Sequence, residues 1–168
     1  MFSSVINLED KNDDEIIELL YEIFKNDFID NRTYLADKIY INPISNDIEP
    51  SVNKEKIFWH IISRKDRGRR RLDKPRACRI NWIKPIIINH VHSEVKLFYY
   101  FEDNRKIRLY LWLYKKDFAV ILQKLGSSSS YLVTSFYIDN QNKRDAFSRK
   151  YDSYIRNIDN RLNNCEWF

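Results

Sequence analysis

Glycine occurs only twice in this chain of 168 residues, cysteine twice, methionine once, histidine three times and proline four times. Each scarcity removes something. Two glycines do not make a glycine-rich phosphate loop, and so few glycines and prolines leave no low-complexity segment. Cys78 and Cys165 are too few for the disulfide framework of a secreted domain, and no charged-then-apolar leader opens the chain, so a cytoplasmic working place is expected. No apolar run approaches the roughly 20 residues that cross a bilayer, so no membrane partner is expected. No nucleophile elbow or paired-histidine metal motif is present, which sets aside most nucleotide hydrolases and metalloenzymes, and no cofactor is expected. His90 and His92 lie at strand spacing, but together with Cys78 and Cys165 they match no familiar zinc pattern.

What the chain does have is aromatic and apolar mass, 15% and 43% of residues, enough for the core of one domain. It also has a lopsided charge. Residues 1–53 hold twelve acids against four bases, whereas residues 54–168 hold twelve against twenty-five. The first stretch reads as an acidic helical segment, part of the same domain, and the second as a basic α+β body. Within the body, Arg64, Lys65, Arg67, Arg69, Arg70, Arg71, Lys74, Arg76 and Arg79 face only Asp66 and Asp73, leaving about +7 over sixteen residues. Phosphate backbones require such density and neutral substrates do not, so a nucleic acid is the expected partner, with RNA, whether tRNA or mRNA, among the candidates. The bland alternative is a solvated basic loop.

Asp13 to Phe28 reads as an amphipathic helix with acids at its N-terminal end. Lys38 to Ile41 reads as a short strand. From there the pattern turns to β: Ile57 to Ile62, Val95 to Phe101, Lys106 to Tyr114, Phe118 to Leu125 and Tyr131 to Ile138 are rich in β-branched and aromatic residues. The short turns between the last four favour antiparallel pairing. Asn140 to Leu162 reads as a C-terminal helix with Phe147, Tyr151, Tyr154, Ile155 and Ile158 on one stripe. The expected fold is thus α+β, an antiparallel sheet of four to five strands with N- and C-terminal helices packed on it.

His60, just before the basic run, is either a satisfied core histidine or a proton-transfer group beside a phosphate site. Metal-free chemistry on RNA needs a base for the 2′-hydroxyl, an acid for the leaving oxygen and fixed cations for the phosphate. His60, Arg76 and Arg79, and the hydroxyls of Thr134, Ser135 and Tyr137 supply these types. Thr134 and Phe136 face opposite to Ser135 and Tyr137 on an extended strand.

The ordered blocks Phe58-Trp59-His60-Ile61, Arg76 to Ile87, Leu111-Trp112-Leu113 with Asp117 to Leu122, Leu132 to Tyr137 and Arg149-Lys150-Tyr151 resemble a family of bacterial and phage-associated proteins of the barnase, EndoU, E-type colicin and RelE-like ribonuclease fold. The resemblance spans residues 57–155. It implies a small α+β toxin with a metal-independent ribonuclease site on the sheet, cleaving to a 2′,3′-cyclic phosphate, and an antitoxin or immunity protein as a neutralising partner. The family's histidine, arginine, serine or threonine, and tyrosine correspond to His60, Arg79, Thr134 and Tyr137. The tract Arg67 to Arg71 is more basic than in that pattern, and no glutamate accompanies His60. The competing expectations are a non-catalytic RNA- or DNA-binding module and a protein whose basic surface takes an acidic partner. The acidic segment is either a lid over the basic groove or a plain part of the core.

Overall fold

The computed structural model describes residues 2–168. Helix α1, Asp13–Phe24, starts at a capping box in which Asn12 accepts from the Glu15 amide at 2.9 Å and the Glu15 carboxylate reaches back to Asn12. Its apolar stripe, Ile16, Leu20 and Phe24, is buried, and a π-helical turn over Lys25–Asp30 carries Phe28 into the same core. The acids of α1 face outward while its other side completes the core. Strands β1 (Tyr34–Leu35) and β2 (Ile39–Asn42) follow, then the small ribbon of β3 (Ile48–Glu49) and β4 (Lys54–Glu55).

The largest departure from the sequence reading comes next. Residues Ile57 to Ile62 are expected as strand, yet Lys56–Ile62 forms helix α2. Its buried positions are Phe58, Ile61 and Ile62, a spacing of three and four that only a helix places on one face. In so short an apolar run the β-branched composition outweighs the period, although burial is what decides. The basic run then folds as a hairpin of β5 (Ser63–Asp66) and β6 (Arg69–Leu72), followed by the single turn α3 (Lys74–Ala77). Helix α4 spans Ile83–Ile88. His90 and His92 sit in the turn that follows it, not in a strand.

Strands β7 (Val95–Phe101), β8 (Ile107–Leu113), β9 (Phe118–Lys124) and β10 (Ser129–Tyr137) form the antiparallel meander read from the sequence. The sheet is larger than expected and mixed, with six strands in the order β1-β2-β10-β9-β8-β7. β2 joins β10 in parallel, Tyr40 opposite Ser129 and Asn42 opposite Tyr131, an arrangement that local turn chemistry does not announce. Helices α1, α2 and α4 cover one face over Leu109, Leu111, Val120 and Leu122. Helix α5, Gln141–Ile155, covers the other over Phe98, Tyr110, Trp112, Ala119 and Ile121. Covered on both sides, the central strands β8 and β9 are buried nearly end to end and show no alternation.

Helix α5 is shorter than expected. Asn157 takes the left-handed conformation at φ 52° and ends it, and Ile155 and Ile158 are 54% and 64% exposed rather than on the packed stripe of Phe147, Tyr151 and Tyr154.

Candidate nucleic-acid interface

The β5–β6 hairpin closes through Arg67 and Gly68, both at positive φ (49° and 82°), the two-residue turn whose twist matches an antiparallel ribbon. Gly68 holds this conformation without strain, and the turn lifts Arg67 and Arg69 to an exposed tip. Register sets Arg64 opposite Arg71 and Lys65 opposite Arg70. Like charges directly opposite destabilise a ribbon. Asp66 relieves only part of this, 3.8 Å from Arg71. Arg64, Lys65, Arg67, Arg69, Arg71 and Lys74 are exposed.

Arg70 and Arg76 do different work. Helix α2 ends with carbonyls that its own amides no longer reach. The Arg70 guanidinium donates to the carbonyl oxygens of His60 (3.2 Å) and Ser63 (3.1 Å) and to the Ser63 hydroxyl (3.0 Å). Arg76 donates to the same two carbonyls at 3.2 Å and 2.6 Å. The Asp73 side chain accepts from the Arg76 amide and starts α3, which aims Arg76 at this point. Two cations expected to hold phosphate therefore clamp the helix that carries His60.

The paired part of β10 against β2 ends at Tyr131, and a bulge at Val133 follows. From there the strand's outer edge is open, with α2 and α3 packed beside it. Two clefts flank this edge. The first, about 380 Å³, is lined by Ile44, Asp47, Lys56, Ile57, His60, Leu125, Tyr131, Leu132 and Val133. The second, also about 380 Å³, is lined by Arg64, Asp73, Arg76, Phe136, Tyr137, Asp139, Lys143, Ala146, Phe147 and Lys150. It continues past Lys74 and Pro75 into a neighbouring hollow.

His60 and Tyr137 thus belong to different clefts. Tyr137 meets Arg79, whose guanidinium lies 3.9 Å from the ring centre, while a second ring, Trp82, lies 5.5 Å away. The Arg79 guanidinium also donates to the Pro75 carbonyl oxygen. Thr134 pairs across β9 with Ile121 and shares the α5 face, whereas Ser135 and Tyr137 pair with Val120 and Phe118 on the opposite face. The Thr134 hydroxyl donates to the Ser135 carbonyl oxygen at 3.3 Å. Burial first, then the charges of Arg70 and Arg76, push the His60 imidazole down to a pKa of about 4. At neutral pH it is uncharged.

The sequence reading gave no site role to Lys143 and Lys150, which α5 brings to the second cleft, or to the aliphatic wall of the first. Lys150 lies 4.2 Å from the Tyr100 ring centre, and burial lowers its basicity. No local spacing pairs these residues with the basic run; only the return of α5 across the sheet does. Among the described residues no group of three or more histidine, cysteine or carboxylate side chains is placed to hold a metal ion, and no helix is long and apolar enough to cross a membrane. No family model matches this chain, and neither does any curated protein or solved structure.

Proposed function

We propose that the protein is a metal-independent ribonuclease that binds RNA on the β5–β6 hairpin and along the open edge of β10. The observation that carries this reading is the hairpin register, which sets cations opposite cations at Arg64↔Arg71 and Lys65↔Arg70 beside the helix bearing His60. A phosphate between Arg64 and Arg71 turns their mutual repulsion into two attractions, while the Arg70 guanidinium stays on the carbonyls at the end of α2. His60, uncharged at neutral pH, has the free lone pair required to take the 2′-hydroxyl proton. Arg64 and Arg79 supply fixed positive charge for the phosphate as its oxygens gather charge, and Tyr137 holds Arg79 in place by stacking. The 2′-oxygen, its proton passed to His60, attacks phosphorus, the P–O5′ bond breaks, the 5′-oxygen takes a proton from solvent water, and a 2′,3′-cyclic phosphate remains.

A second reading has its own support. The low basicity of His60 and its separation from Tyr137 favour an RNA-binding module that does not cleave. One experiment decides between them. Labelled RNA is incubated in EDTA with the wild-type protein and with His60→Ala, and both cleavage and binding are followed. Cyclic-phosphate products from the wild type, lost in His60→Ala with binding retained, support the ribonuclease. Binding without products supports the module. No binding by the wild type overturns both.

A further inference from the structure

The first cleft is poorly suited to phosphate. Ile57, Leu125 and Val133 form much of its wall, and its polar features are His60, Tyr131 and the ion pair of Lys56 with Asp47 at 2.8 Å. Its volume of about 380 Å³ falls in the range of roughly 300–1,000 Å³ typical of small-molecule sites, where apolar walls hold a ring and a few polar groups orient it. A donor and an acceptor side by side are what the edge of a heterocycle pairs with. The cleft also lies along the same edge of β10 as the cationic surface. The His60 carbonyl receives Arg70 and Arg76, and the open edge of β10 runs from Val133 to Tyr137, roughly 13 Å at 3.3 Å per residue, into the second cleft.

We propose that this cleft is a nucleobase pocket that takes one unstacked base of a single-stranded RNA whose phosphates lie on the hairpin. The assignment rests on the RNA-binding reading given above. It makes unpaired RNA the preferred substrate class, because a base within a duplex is stacked and paired and does not enter a side pocket. The hairpin alone does not discriminate, since its contacts are to charge. The pocket supplies the discrimination.

Binding is measured by fluorescence anisotropy with three probes of equal length, all 2′-O-methylated so that none is cleaved: a single strand, the same strand annealed to its complement, and a strand of abasic residues. Wild-type protein is expected to bind the single strand about tenfold more tightly than either other probe, the scale of one well-held base. Val133→Trp, which fills the cleft, is expected to lose that preference and keep its affinity for the duplex. Equal binding of all three probes by the wild type overturns the pocket and leaves the polyanion surface standing. Unchanged single-strand preference in a folded Val133→Trp protein overturns it as well. If that variant does not fold, the wild-type comparison of normal and abasic strands decides alone. Failure of the wild type to bind any probe removes the RNA reading and the pocket with it.

Discussion

Arg76 donates from Nη1 to the Ser63 carbonyl oxygen at 2.6 Å, thirteen residues back along the chain, and closes the C-terminal end of α2. The arginines of the basic run are therefore not equivalent. Arg76→Ala removes one of the two guanidinium donors from each of the His60 and Ser63 carbonyls, which keep Arg70, and is expected to cost about 1–2 kcal/mol of stability. Arg69→Ala, at the exposed hairpin tip, is expected to change stability by less than about 0.5 kcal/mol. Urea unfolding of the two variants checks this, and equal effects would show that the clamp contributes nothing.

The pH dependence follows from His60, whose folded pKa of about 4 lies below the ordinary 6.5. The unfolded chain takes up this proton first. Between pH 6.5 and 4 the unfolded state is therefore favoured progressively, and the contribution is constant above and below that window. His60→Gln is expected to flatten the decline of Tm across that window. The same shift places the acid limb of any His60-dependent cleavage near pH 4, and a limb near 6.5 would mean that another group takes the proton.

Replacing Arg67, Arg69 and Arg71 together by glutamine is expected to lower the log–log salt slope of single-strand binding by about 2, since each phosphate contact contributes roughly 0.7. Arg70 is left intact because it holds α2. A slope identical to the wild type would place the phosphates elsewhere, the cleft of Lys143 and Lys150 being the next surface to test.

The acidic segment gives a structural prediction. Phe24 is 1% exposed and touches Phe28 and Phe58 across the core, their ring centres about 5.5 Å away. Phe24→Ala is expected to cost ~3–5 kcal/mol, and removal of residues 1–53 is expected to give an insoluble chain, because β1 and β2 leave the sheet with it. A folded truncation that binds RNA more tightly would instead make this segment a lid.

Much of the meander was legible in the sequence, since β7 to β10 are long, apolar and joined by short turns. So were α1, from its acids and its stripe, and the charge of the interface. The rest depended on long-range packing. Phe58, Ile61 and Ile62 specify a helix only once a buried face exists to receive them. The union of β2 with β10 is a tertiary choice with no local signature. In the site, residue types were readable and their grouping was not: Tyr137 meets Arg79 because α3 returns to the end of β10, and Lys150 arrives from α5.

The parallel pairing of β2 with β10 also sets an order of events during synthesis. Tyr40 waits for Ser129, 89 positions later in the chain. At roughly 5–20 residues per second, that interval is on the order of ten seconds. Until then Ile39 and Ile41 have no β10 to join, whereas residues 63–72 of the β5–β6 hairpin are synthesised well before it. The nascent chain thus presents its cations before its core can close, so any RNA affinity of the hairpin exists on the ribosome ahead of the finished fold.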